Sequence, residues 1–209
     1  MIPVASVEEV IFDAASALKV PVLILAIAAL VLVAVELGRF AVELVRRRHR
    51  SFPQLEVAAD EARTALVEDR RDRAEKILWG VAWSDQMGRT LSFLARQSRT
   101  ANSDNKVSKA LADFDYGSMR SLERTRLLVR FGPALGLMGT LIPLSPALAG
   151  LAEGDVKQLS DNLRIAFSVT VLGLLIGAVA YGISLVRDRL YGQDLSDLQY
   201  VAATLSRDA

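Results

Sequence analysis

FGPALGLMGTLIPLSPALAGLA, residues 131–152, decides the fold. It runs for 22 residues without a charge between Arg130 and Glu153. A helix needs about 20 apolar residues to cross a hydrocarbon core about 30 Å thick. A second run, IAFSVTVLGLLIGAVAYGISLV, fills 165–186 between Arg164 and Arg187 and is also 22 residues long. Nearer the N-terminus, VPVLILAIAALVLVAV spans the 16 residues between Lys19 and Glu36. It resumes as Leu37-Gly38 and Phe40-Ala41-Val42. Lys19 and Glu36 can sit at the interfaces with their stems in lipid, which extends this span to 20–42. The expectation is an all-α integral membrane protein with three transmembrane helices.

Composition agrees. The chain carries 25 basic and 24 acidic residues among 209, with 52% hydrophobic. Long charge-free stretches alternate with densely charged ones, the pattern of a membrane protein and not of a nucleic-acid binder. There are no cysteines, which excludes disulfides, thiolate metal sites and cysteine nucleophiles. The one histidine, His49, lies within Arg46-Arg47-Arg48-His49-Arg50 and reads as an interfacial polar group. No metal or other cofactor is expected. Glu8, Glu9 and Asp13 precede the first apolar run, so a signal peptide is not expected there.

Orientation follows from where Lys and Arg collect. Arg39 and the run 46–50 follow the first span. Arg120, Arg124, Arg126 and Arg130 precede the second, and Arg187 and Arg189 follow the third. The short segment 153–164 holds three acids and two bases. The N-terminus is therefore expected outside, with 43–130 and 187–209 in the cytoplasm and 153–164 an outer loop.

Residues 1–19 are amphipathic, with Val7, Val10, Ile11, Ala14, Ala15 and Leu18 at helical spacing. They suit either a helix on the outer membrane surface or a solvated lead-in. Residues 43–130 read as helix, started near Ser51-Phe52-Pro53. Leu55, Ala58, Ala59, Ala62, Leu66, Ile77, Leu78, Val81, Ala82 and Leu91 form its apolar stripe. Ala101-Asn102-Ser103-Asp104-Asn105 is its one strong loop signal. Trp79 and Trp83, four apart, are expected on one helix face. No phosphate loop, HExxH or nucleophile elbow is present, so no enzyme is expected.

Function is expected where polar and small residues enter the long spans, because polar groups in lipid are costly. The second span holds Gly132, Gly136 and Gly139, with Thr140, Ser145, Pro143 and Pro146. The third holds Ser168, Thr170, Gly173 and Gly177. Glycines four apart permit close backbone approach. Pro143 and Pro146 remove amides that would bond Gly139 and Ile142, so a kink is expected. The threonines either bond back to their own helix or face protein or water. Neither long span contains an acid, so any mid-membrane carboxylate must come from a partner.

The stretch GPALGLMGTL resembles the second-helix signature of the MotA/TolQ/ExbB proton-channel family, with its G-L-x-G-T-V core. IAFSVTVLGLLIGAVA resembles that family's third-helix signature, A-L-x-x-T-x-x-G-L. The motifs cover about residues 125–190, and the rest agrees in layout. The resemblance implies a homopentameric ring whose second and third helices line a pore. Two copies of a single-span partner, similar to MotB, TolR or ExbD, would place a proton-carrying aspartate inside it. It also implies that Thr140 and Thr170 face the pore. Ser168 and Ser145, the other hydroxyls read in these spans, are expected on the same ion path. Two positions depart from the pattern: Ile165 stands where TolQ- and ExbB-like members have glutamate, and Pro143 where the family has glycine. A non-conducting membrane scaffold built on the same ring is the alternative reading.

Overall fold

A computed structural model describes residues 4–48, 51–98 and 103–206. His49 and the Ala101-Asn102 part of the loop signal lie outside the described residues. Among those described, every element is a helix: α1 Val4–Ala17, α2 Lys19–Arg47, α3 Phe52–Val67, α4 Arg71–Gly80, α5 Asp85–Gln97, α6 Ser103–Ala152 and α7 Val156–Ser206. α2, α6 and α7 are each long and apolar enough to cross a membrane. The chain divides into two compact units, Met1–Gly38 with Arg124–Ser184, and Arg39–Glu123 with Leu185–Ala209.

In the first unit, α2 buries one stripe: Val22, Ala26, Ala29, Val33 and Glu36. The spacing of three and four keeps these side chains on one helix face. Val22, Ala29 and Val33 pack with Leu128 and Leu135 of α6 and with Ile176 and Ala180 of α7. Glu36, expected with its stem in lipid, instead continues this buried stripe at 9% exposure. It lies one turn beyond Val33 and is engaged by the protein. Lys19 likewise finds a protein partner, donating to Asn162 Oδ1 at 3.2 Å.

The segment 153–164, expected as a loop, is helical from Val156 onward. Only Glu153–Asp155 break the chain. Gly154 takes φ +84°, a left-handed conformation open to glycine at little cost. The Asp155 amide then donates to Gly150 O at 2.8 Å and the Gly154 amide to Leu151 O at 3.1 Å. This pairing satisfies the last carbonyls of α6. Asp155 also starts the next helix, its Oδ1 accepting from the Gln158 amide at 2.9 Å, an N-cap bond.

The second unit holds breaks at places other than the one loop signal read in the sequence. α3 ends at Val67; two residues on, Asp69 takes φ +57°, and the Arg70 amide closes back on Ala65 O at 2.8 Å. α5 starts at Ser84, whose hydroxyl accepts from the Met87 amide. Conversely Ser103–Asn105, expected in a loop, begin α6. The expected stripe is buried at Leu55, Ala58, Ala59, Ala62, Leu66, Leu78 and Leu91. All of these but Ala58 pack with Met87, Phe114, Leu198 and Val201 in one core. Trp79 and Trp83 do not share a helix, because α4 stops at Gly80.

This unit also contains a buried ionic cluster. Arg47 donates two hydrogen bonds to the Asp194 carboxylate, at 2.7 and 2.6 Å. Trp83 Nε1 donates to the same carboxylate at 3.1 Å. Glu43 accepts from Arg47 at 3.2 Å and from Arg187 at 3.1 Å. The Tyr191 ring lies 5.6 Å from the Arg47 guanidinium carbon, within cation–π range.

At the surface of the unit, Arg96 donates two bonds to Glu75, both at 2.8 Å. Hydrogen bonding from Arg96 holds the Glu75 carboxyl below its ordinary range. A carboxylate depressed in the folded state stabilises above its unfolded pKa, and that contribution is lost as pH falls through the folded value. Arg96→Ala is therefore expected to lower stability slightly at neutral pH and to leave it unchanged at the acid end, so that the profile falls less steeply as pH drops. Melting temperatures taken while lowering the pH from neutral check this.

Candidate ion pathway

The glycines of α6 and α7 meet one another. A Cβ built at Gly132 would sit 2.7 Å from Gly173 O and 2.8 Å from Gly177 N. One at Gly173 would sit 2.5 Å from Gly132 O and 2.8 Å from Gly136 Cα. A Cβ at Gly177 would meet the Pro133 ring at 2.9 Å, one at Gly136 would meet the Thr170 backbone at 3.3 Å, and one at Gly139 would run into the Val169 side chain. The close approach expected for these glycines is thus made within one chain, as an antiparallel seam between its own second and third spans.

Thr170 lies in that seam. Its hydroxyl is within 3.1 Å of both Gly136 O on α6 and Ala166 O on its own helix. The two expected alternatives, bonding its own helix and facing a neighbour, are both realised. Thr140 donates to Leu137 O at 2.8 Å and is half-buried. A hydroxyl has one proton and two lone pairs, so both threonines keep oxygen lone pairs able to accept.

The other two hydroxyls point elsewhere. Ser168 is exposed and donates to Arg164 O at 2.8 Å. At about 100° per residue, two residues place Ser168 and Thr170 on opposite sides of α7. Ser145 stands five residues from Thr140, roughly 140° around α6, and faces α1 beside Ile11 and Phe12. The four hydroxyls therefore do not converge on one line. Ile165, at the family's glutamate position, is half-buried, and Arg164 beside it is exposed. Pro143 is fully buried, and Pro146 lies beside α1.

α2 covers one side of the α6–α7 pair through Leu128, Leu135, Ile176 and Ala180. Side chains on the other sides, including Leu137, Leu141, Phe167, Val171, Leu174 and Tyr181, are exposed. Among the described residues, no group of His, Asp and Glu is placed to hold a metal ion.

Three long apolar helices, two joined as a tight hairpin along a glycine seam, define a helical membrane protein. A model of the MotA/TolQ/ExbB proton channel family matches residues 84–195. That is more than half of the chain, and the chain belongs to this family. Comparison with curated proteins finds no match. The matched segment starts at the cap of α5 and includes all of α6 and most of α7. The protein is thus of the proton-channel type, a family of channels and not of enzymes. Membership points to a membrane complex built with a partner, of the MotA/ExbB type.

Proposed function

We propose that this chain is the pore-forming subunit of a membrane motor driven by the proton-motive force. Five copies form a ring in the cell membrane, the inner or cytoplasmic one, with N-termini outside and C-termini in the cytoplasm. Two copies of a single-span partner of the ExbD, TolR or MotB kind stand in the pore, each carrying an aspartate. The observation that carries this reading is the α6–α7 hairpin, covered by α2 on one side and open on the other, with Thr170 in its seam.

The hydroxyls have a defined chemistry in that setting. With their protons engaged by backbone carbonyls, Thr140 and Thr170 accept a hydrogen bond from the partner's protonated aspartic acid. Once the acid is ionised it needs donors, and each hydroxyl turns from its carbonyl to the carboxylate. A bond to a charged group contributes about 1.5–3 kcal/mol, so the exchange favours proton release in a low-dielectric site. Turning of the partner pair within the ring would deliver the work outside.

Proton flux into liposomes tests this. The chain with its co-purified partner is expected to conduct and the chain alone is not. Thr170→Val is expected to reduce flux by about tenfold or more, equivalent to a lost bond of about 1.4 kcal/mol or more. Equal flux with and without partner, or undiminished flux in Thr170→Val, removes the reading.

A second reading, a non-conducting scaffold on the same ring, is favoured by three observations. Both threonine hydroxyls are already engaged within the chain. Neither α6 nor α7 places an acid within its apolar run, and Ile165 replaces the family's glutamate. An intact ring with its partner that passes no protons selects it.

A further inference from the structure

Between α1 and α6 lies a groove of about 390 Å³ whose walls the channel chemistry does not use. Ile11, Phe12 and Ala15 form one wall, and Leu141, Ile142 and Pro146 form the other. Ser16 and Ser145 supply the only hydroxyls, and the Ser16 hydroxyl already donates to Asp13 O at 2.9 Å. The lining therefore offers shape and apolar contact but almost no polar recognition.

We propose that this groove is a binding site for one lipid acyl chain. The occupant follows from continuity with the membrane-facing surface. Leu141, Ile142, Ser145 and Pro146 belong to a membrane-spanning helix. Ser145 lies seven residues before the helix end at Ala152, about 10 Å at 1.5 Å per residue, which is the depth of acyl chains. Leu141 is 58% and Ile11 63% exposed, so the rim merges with apolar surface that lipid already covers. A tail seated there exchanges bulk lipid contacts for a walled slot made by two helices. α1, whose Val7, Val10, Ile11 and Phe12 are all exposed, is then held to α6 through the tail between them.

Native mass spectrometry of the protein released from detergent, in its assembled state, reads the retained phospholipid per chain. Wild type is expected to retain lipid. Ser145→Phe and Ala15→Phe, which fill the slot from opposite walls, are expected to lower occupancy by about tenfold, the effect of removing contact from two methylenes. Leu174→Phe, an exposed apolar site on α7, is expected to leave occupancy unchanged. The chain has no cysteine, so Phe12→Cys provides a clean second readout. Its thiol is expected to stay uncrosslinked under oxidation. No retained lipid in wild type, equal retention in the slot-filling variants, or a disulfide between copies through residue 12 each overturns the proposal. The last outcome would assign the groove to a neighbouring copy. None of these outcomes depends on whether the protein conducts protons.

Discussion

Gly173→Leu is expected to be strongly destabilising. The new Cβ would stand 2.5 Å from Gly132 O and 2.8 Å from Gly136 Cα. Both obstacles are backbone, so no rotamer relieves them and the two helices must separate. Overpacking of a close contact costs about 3 kcal/mol at its upper end. The bond from Thr170 to Gly136 O goes with it, at about 1 kcal/mol. Against a total stability of about 5–15 kcal/mol, the loss of about 4 kcal/mol is severe. In a chain of this size it corresponds to a melting temperature lower by roughly 10 °C. Gly192→Ala is the matched control. Nothing lies within 4 Å of a Cβ there, and alanine in place of glycine within an exposed helix stabilises by about 1 kcal/mol. Thermal unfolding in detergent reads both. A Gly173→Leu melt close to wild type would mean that the seam does not hold the hairpin.

Asp194→Ala has the second large effect. The carboxylate is 2% exposed and the Arg47 side chain 8%. Removing Asp194 leaves a buried guanidinium without its two-bond partner and takes away the carboxylate that accepts from Trp83 Nε1. Breaking a buried pair on one side costs about 3–5 kcal/mol. Replacing both ends by apolar residues, as Arg47→Met with Asp194→Leu, is expected to recover most of that loss, because the desolvation of both charges disappears as well. A double-mutant cycle on unfolding free energies checks the pair. A single-mutant loss near 1 kcal/mol would mean that water reaches the cluster.

The second and third spans were legible because a charge-free run longer than 20 residues has few other uses. The seam was half legible. Glycines four apart announce a close approach, but which backbone approaches is a tertiary fact, and here Gly132 meets Gly173 of the same chain. The helix that stands where 153–164 was expected as a loop had a readable signal in Asp155-Val156-Lys157-Gln158, a cap with glutamine at its third helical position. Polarity alone does not separate an exposed helical turn from a loop. The end of α3 was harder to read, since the residue in the left-handed conformation is Asp69 and not a glycine. Nothing local announces the Arg47–Asp194 pair, whose members lie 147 residues apart. The four hydroxyls were grouped as polar residues inside the two long spans, which says nothing of the face each one takes. The 100° step of a helix separates Ser145 from Thr140 and Ser168 from Thr170 regardless of depth.

The turn at Glu153–Asp155 bears on biogenesis. Closing so short a connection demands little chain entropy, and its backbone groups are already satisfied by Gly150, Leu151 and Asp155 itself. The last two spans can therefore zip together as a preformed wedge while emerging from the insertion machinery. α2, synthesised long before them, has no partner for its alanine stripe until that wedge arrives, so the first span to be made is the last to be fixed in place.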